Sequence, residues 1–461
     1  MRRFLYRIGA IIAIISFTAL TTFSQDNDSV IIKKIIDETM TNSTAYANLR
    51  MLCKQVGARL SGSTKYFKAV TLTTKMMKNI GVDTVYLQQC MVPHWVRGEK
   101  EEGHVILASG KEYPLKLCAL GNSEGTGKKG ITAPVIEINR FDQLNHEGIK
   151  NIKGKIVFFN FPMNPTYILT HRAYGESGVS RTHGPALAAK YGAIGAIVRS
   201  LGSNLNDYPH TGLTIYNDSF PKIPAVAIST NDAEYLSKQL RSRNNVKAYF
   251  KTNCKMLPDT TGYNVVEEIK GNEFPDEIIT VGGHLDSWDL AEGANDDGTG
   301  VMQSMEVLRT LKASGIHPKR TIRAVLFVNE ENGGRGAEKY LSEAKNKNEH
   351  HIFALESDGG GFTPRGFGLE MDSAKLNKVL QWKYLFEPYG LYEIKAGSSG
   401  SDVGPLKEIG AALAGLNVDS QRYFDIHHAA TDVFENVSKR ELDFGAAAMA
   451  ALIYLVSEHG L

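Results

Sequence analysis

Glu277-Ile278-Ile279-Thr280-Val281-Gly282-Gly283-His284-Leu285-Asp286, with Asn295-Asp296-Asp297-Gly298 close behind, is the stretch from which the rest of the chain can be read. The apolar run predicts a buried strand that ends in two glycines. His284 and Asp286 then emerge at the carboxyl end of that strand, where open α/β sheets place their ligands. After Asp296 the residues Val301, Met305 and Leu308 share one face, so an amphipathic helix follows. Imidazole and carboxylate together form a ligand set for zinc or a similar divalent ion. A lone His-x-Asp is more often a surface pair. Three later segments with matching chemistry change that reading.

Thr321 to Val328 is a strong apolar strand and runs into Asn329-Glu330-Glu331-Asn332-Gly333-Gly334. Neighbouring residues at a strand end point different ways, so one glutamate can hold a metal while the other faces the water to be activated. Ile352 to Leu355 repeats the design, ending in Glu356-Ser357-Asp358 and three glycines that permit close backbone approach. His350 and His351 precede that strand, at its far end, and are read as exposed. A strand over 411–418 is followed by His427-His428-Ala429-Ala430-Thr431-Asp432, in which one histidine is a ligand candidate and Asp432 could orient a loop. The ligand candidates thus fall in four strand-end segments of one sheet. Two histidines with three carboxylates suit two zinc ions sharing a bridging aspartate.

The length of 461 residues exceeds one simple core and predicts two domains, one inserted in the other. Residues 1–24 read as a secretory signal peptide, with basic residues, an apolar core from Ile8 to Ala19, and small residues before Gln25. The expected location is therefore secreted or periplasmic, with no stable membrane insertion after cleavage. Net charge is +2, and without the leader's Arg2, Arg3 and Arg7 it becomes −1. A near-neutral chain offers no electrostatic case for nucleic acid or anionic membrane. Cys53, Cys90, Cys118 and Cys254 are too widely spaced for a zinc knuckle, and their pairing cannot be read from the sequence.

Taken in order, residues 28–60 and 64–79 are helical, the latter ended by Gly81, and Thr84 to Val92 alternates like a strand. Met91 to Gly98 is expected as a loop, with His94 as a packed or exposed loop side chain. A Gly/Ser/Lys-rich linker at 121–130 marks a change of character. Strands are expected over 131–138, 153–160, 192–198 and 223–229, with helices at 186–191 and 231–241. The region reads as a small β-rich insertion without ligand clusters; His183 and His210 in it are isolated. The expected partition is residues 25–125 as the N-terminal part of the main domain, 126–250 as the insertion and 251–461 as the catalytic part.

The segments GGHLDSWDLAEGANDDGTG, NEENGGRGAEKY, ESDGGG and HHAATD resemble the M28 family of co-catalytic zinc peptidases, in its carboxypeptidase Q-like branch (plasma glutamate carboxypeptidase). KGKIVFF, ALAAKYGAIGAIV and IPAVAIS resemble a protease-associated (PA) domain. The resemblance implies an α/β fold: a mixed-sheet α/β/α zinc-exopeptidase domain carrying the small β-rich insertion. It implies two zinc ions per chain, with His284, Asp296, Glu331, Asp358 and His428 as metal ligands and Asp296 as the bridge. Glu330 takes the place of the general base and Asp286 that of the acid behind His284; both are catalytic candidates. His428 is preferred over His427 because Asp432 follows it with three residues between.

The implied function is a secreted di-zinc exopeptidase acting on dipeptides or terminal residues of small peptides. Whether it works as an aminopeptidase, carboxypeptidase or dipeptidase is open, and a homodimer is implied only by the resemblance. The alternatives are a glutaminyl-cyclase-like acyltransferase with one zinc and a non-catalytic peptidase-fold binding protein. The insertion is expected to flank the site without supplying ligands. Relatives of this kind use a cis peptide after the bridging aspartate, so a cis Asp296–Asp297 bond is expected.

Overall fold

The strand Phe274–His284 lies at the centre of an eight-stranded sheet. The structure, a computed structural model, describes residues 27–242 and 245–461; the expected signal peptide lies outside them. The sheet order is Thr84–Val96, Lys255–Ile269, Arg320–Phe327, Phe274–His284, His350–Glu356, Ala412–Val418, Pro364–Glu370 and Glu393–Ala396. The four strands from Arg320–Phe327 to Ala412–Val418 are parallel to one another, and antiparallel partners flank them.

Parallel strands are buried on both faces and read as near-continuous apolar runs, and every residue of Arg320–Phe327 is buried. Parallel neighbours also need crossover helices, supplied by Thr299–Ala313 and Arg335–Lys347. The register matches His284 with Phe327, Gly282 with Glu356, and Glu356 with Gly415. The carboxyl ends therefore lie level along one rim, and the loops leaving them converge. The long helix Lys439–His459, capped by Ser438, packs against Thr299–Ala313 and supplies Ala447 to Val456 to the main core. Residues 27–42 are helical, and Asp28 is held by Tyr454 at 3.1 Å and His459 at 2.9 Å.

A second sheet has the order Glu112–Pro114, Glu102–Ile106, Lys247–Lys251, Ile131–Ile138, Ile156–Phe159, Gly195–Arg199, Ala225–Ile228 and Leu117–Ala119. It takes in three strands upstream of residue 126, the expected start of the insertion. Those strands are short and carry charged or half-exposed residues such as Glu102, His104 and Glu112, so no apolar run marks them. This unit is also more helical than expected. Asp142–Ile152, Thr170–Thr182, Gly184–Lys190 and Thr230–Arg241 all lie in it. Thr170–Thr182 gives no sign of itself in the sequence because, with two glycines and no apolar stripe, it lacks the helical period.

Two further expectations change. The strand from Thr84 continues to Val96, with a register shift between Val92 and His94, so the expected loop is strand. His351 is buried, with Nδ1 3.0 Å from Thr280 Oγ1 and Nε2 3.1 Å from Glu349, whereas His350 is exposed. Alternation along the strand separates the two histidines.

Glu267 presents an opportunity for stabilisation. It is fully buried in the strand Lys255–Ile269, and neither carboxylate oxygen finds a hydrogen-bond partner among the described residues. Burial alone holds its carboxyl well above the ordinary range. A raised folded-state value makes a contribution that is complete below the unfolded value and is lost as pH rises through the folded one. Glu267→Met is therefore expected to stabilise the protein by about 1–3 kcal/mol, the cost of a buried unsatisfied polar group. The gap over wild type should widen from about pH 5 upward in paired thermal melts; a gap that narrows would show the charge to be compensated.

Candidate active site

Loops from the carboxyl rim bring the predicted side chains together. His284 closes its strand, and its Nδ1 lies 3.0 Å from the backbone oxygen of Asp286, to which it donates. That bond leaves Nε2 as the free acceptor, pointed at the rim. Nε2 lies 3.2 Å from Asp296 Oδ1 and 3.5 Å from Asp358 Oδ1. The other Asp296 oxygen is 3.2 Å from His428 Nε2, which is itself 3.1 Å from Glu331 Oε2. Asp296 thus stands between two groups, His284 with Asp358 and His428 with Glu331.

The turn carrying Asp296 is fixed on every side. The Asp296–Asp297 peptide is cis, as expected. Asp297 faces away from the cluster and accepts from His284 N at 3.0 Å and Gly300 N at 2.9 Å. Asp432 accepts from Asn295 N at 2.7 Å and Asp296 N at 3.1 Å, which is the loop-orienting role its position suggested. Gly283 and Gly300 are required by close approach. A Cβ at Gly283 would lie 2.3 Å from Asp297 Oδ2, and one at Gly300 would lie 1.9 Å from the Ser357 carbonyl oxygen.

The glutamate pair divides as strand-end geometry requires. Glu331 is buried, and its Oε1 accepts from Trp288 N at 3.0 Å while Oε2 faces His428. Glu330 is half-buried and turns outward, its Oε1 accepting from Ser401 Oγ at 2.8 Å. Asp286 is buried behind His284, 4.0 Å from its Nδ1, and accepts from Glu330 N at 3.2 Å. Burial raises its carboxyl to about 6.

His427 also enters the cluster. Its ring stacks on His428 at 3.6 Å, and its Nε2 is 3.6 Å from Asp296. Of the two histidines, His428 is the one in contact with both Asp296 and Glu331. The backbone at His428 adopts φ 61°, in the left-handed region that non-glycine residues rarely enter.

The donor set fits divalent cations. His284, Asp296 and Asp358 form one group with ligand atoms close enough to hold a metal, and Asp296, His427 and His428 form another. Asp296 Oδ2 and Asp358 Oδ1 are buried without a hydrogen bond. Burial, then the charge of Asp296, pushes Glu331 up to about 8. So many buried carboxylates are tolerated only when a cation or protons offset them.

The unit built on the second sheet reaches this centre, and among the described residues it brings no carboxylate or histidine into either group. The Thr211 carbonyl accepts from His428 Nδ1 at 3.2 Å, which sets the tautomer that leaves Nε2 free, and Arg181 lies beside it. Arg97 clamps the two units together through Asp289 and the Ala119 carbonyl. A cavity of about 370 Å³ opens next to Asp358, lined by Glu356, Ser398, Ser399 and Asn417, with Leu169 and His171 from the second unit. Ser401, Arg181 and the Thr211 carbonyl carried no sequence signal. Each is an ordinary residue type made notable only by what folds against it.

The peptidase family M28 model matches residues 264–453, the span that holds all the candidate ligands. Carboxypeptidase Q of Homo sapiens is 34% identical over 417 residues, covering 90% of this chain and 85% of that one. The chain belongs to peptidase family M28. This M28 peptidase is also 24% identical to aminopeptidase YwaD of Bacillus subtilis, over 89% of this chain and 84% of that one. The solved peptidase M28 precursor of Shewanella amazonensis superposes with a TM-score of 0.89 at 30% identity, covering 94% of this chain and 97% of that chain. A zinc aminopeptidase of Bacillus subtilis shares the fold at a TM-score of 0.63 and 21% identity, covering 89% and 94%. The protein is therefore a hydrolase, a metallopeptidase of mixed α/β architecture.

Proposed function

We propose that the chain is an extracytoplasmic exopeptidase that holds two zinc ions and cleaves dipeptides or the terminal residues of small peptides. The observation that carries this reading is the position of Asp296, one oxygen toward His284 and the other toward His428, each at 3.2 Å. In this assignment His284 and Asp358 would hold one ion, His428 and Glu331 the other, and Asp296 would be shared between them. When bound, the zinc pair supplies Lewis acidity that activates a water and polarises the scissile carbonyl.

The chain's own residues do the rest. Glu330, turned outward beside the cluster, takes the water's proton and passes it to the leaving amine. Ser401 holds one Glu330 oxygen and Asp286 holds the Glu330 backbone amide, so the base is presented in one orientation. Asp286 also stands behind His284 and, once the ions are bound, keeps that imidazole oriented. The second unit, assigned as a protease-associated module, screens one side of the site through Thr211 and Arg181.

No helix among the described residues is long and apolar enough to cross a membrane. Extracytoplasmic location therefore rests on the predicted leader at residues 1–24, and N-terminal sequencing of the exported protein tests it.

The direct test is metal counting on the purified chain beside a dipeptide assay. Two zinc ions per chain are expected, with activity lost on chelation and restored by zinc. Full hydrolysis at one ion per chain would refute the shared-aspartate centre. Chelation is also expected to lower Tm, since ions that bind only the folded state stabilise it in proportion to their binding.

A further inference from the structure

Arg59 is a fully buried cation, far upstream of the span 264–453 that holds the candidate ligands, and the mechanism above does not use it. Its Nε donates to the Leu285 carbonyl oxygen at 2.5 Å, its Nη1 to that of Glu292 at 2.6 Å and its Nη2 to that of Gly293 at 2.9 Å. Its backbone amide donates to Ser287 Oγ at 3.2 Å. Leu285 directly follows His284, and Gly293 stands shortly before Asp296. One side chain therefore ties together both ends of the loop that separates two candidate ligands.

A guanidinium withdrawn from water is costly unless its charge is offset. Arg97 pairs with Asp289 and Glu101, and Arg323 with Glu268 and Glu349. Among the described residues Arg59 forms no ion pair; its whole donor fork goes to backbone carbonyls of one loop. Buried carbonyls outside helix and strand each need a donor. A lysine offers a single nitrogen on a flexible stem, whereas the planar fork holds three carbonyls at a fixed spacing. The task that fits this residue type is to shape the loop.

The surroundings follow that shape. The Gly293 carbonyl also accepts from Gly298 N at 3.1 Å, which closes the turn carrying Asp296. A Cβ at Gly293 would lie 2.2 Å from Ser287 Cβ and 2.9 Å from Arg59 Nη1, so the loop is wrapped closely on the arginine. Between the tied ends, Trp288 N reaches Glu331 Oε1 at 3.0 Å. Two residues after Arg59, Ser61 Oγ accepts from Asn329 Nδ2 at 3.0 Å and donates to Asn332 Oδ1 at 2.9 Å, on either side of the glutamate pair. We propose that Arg59 is a positioning residue of the metal centre. It sets the separation of His284 and Asp296, and through Trp288 the place of Glu331, in the chain before any ion arrives. The assignment rests on the two-zinc reading and adds the part of the chain that builds the site.

Zinc affinity, measured on the full chain by competition with a chelator, tests it beside dipeptide kinetics at saturating zinc. Arg59→Lys keeps the charge but not the fork. It is expected to weaken zinc binding by about 10–100-fold, the range for losing a group that orients metal ligands. Its kcat should fall while KM stays near wild type, because Arg59 touches no substrate. Arg59→Met should lose at least as much. Arg323→Met, which empties a buried arginine site at the other end of the sheet, should lower Tm yet keep wild-type zinc affinity. Wild type itself supplies a measurement that needs no variant. With zinc removed, the amides of residues 285–298 should keep their slow hydrogen exchange, since the arginine and not the metal holds them. Loss of that protection on chelation would overturn the proposal. So would wild-type zinc affinity and kcat in Arg59→Lys, or an equal loss of zinc in Arg323→Met, which would make the effect one of general stability. Wild type that binds no zinc would remove the two-zinc reading and this assignment with it.

Discussion

Glu330→Gln is expected to lower kcat by about 10²–10⁴-fold, the range for a lost general base, while zinc content stays at the wild-type value. The amide keeps the size of the side chain and can still accept from Ser401 Oγ, which lies 2.8 Å from Glu330 Oε1, but it cannot take a proton. The effect should lie in kcat, because a proton transfer made only in the transition state contributes little to substrate binding. Glu331→Gln gives the contrasting result. Glu331 faces His428 at 3.1 Å and is buried, so its loss should cost metal first and activity as a consequence. Zinc analysis of the two variants separates the roles. If Glu330→Gln is the variant that arrives without zinc, the assignment of the pair is inverted.

Asp296→Ala carries the second large effect. Asp296 touches both histidine groups, so removing it should open both of the proposed metal positions together. Zinc should fall from two ions to less than one per chain. Peptide hydrolysis should fall by at least about 10³-fold, since metal activation supplies several kcal/mol and each 1.4 kcal/mol is tenfold in rate. Asp358→Ala touches only the His284 side and should leave one ion bound. The zinc-dependent rise in Tm should vanish in Asp296→Ala and only shrink in Asp358→Ala. An Asp296→Ala protein that still holds two ions would show that the centre is not shared.

The strand-end segments are legible in the sequence because the signals that mark them are local. An apolar run ending in glycine declares a buried strand and its last residue. The next polar residues must then lie at the sheet's carboxyl rim, wherever the strand sits in the order. His284, Asp296, Glu331, Asp358 and His428 come from four such ends, so their meeting follows from parallel strands lying level, with Gly282 opposite Glu356 and His284 opposite Phe327. The division of labour between Glu330 and Glu331 is likewise implicit in two adjacent side chains leaving a strand in different directions.

The rest has no local mark. Strands at 102–119 escape notice because each is too short to show an apolar period, and Thr170–Thr182 because its glycines hide the helix. His350 and His351 look alike in sequence, yet one is exposed and the other buried, since only pairing sets which face each residue meets. Arg181 and Thr211 stand more than 200 residues before His428, and Ser401 stands 71 residues after Glu330. The sequence by itself determined the fold class, the rim and the donor types, because periodicity and strand ends are properties of a few consecutive residues. Only the tertiary structure decided which imidazole nitrogen is free, what holds the proposed base, and which buried charge lacks a partner. Hydrogen bonding and desolvation depend on what is packed alongside, and that is settled only when distant segments meet.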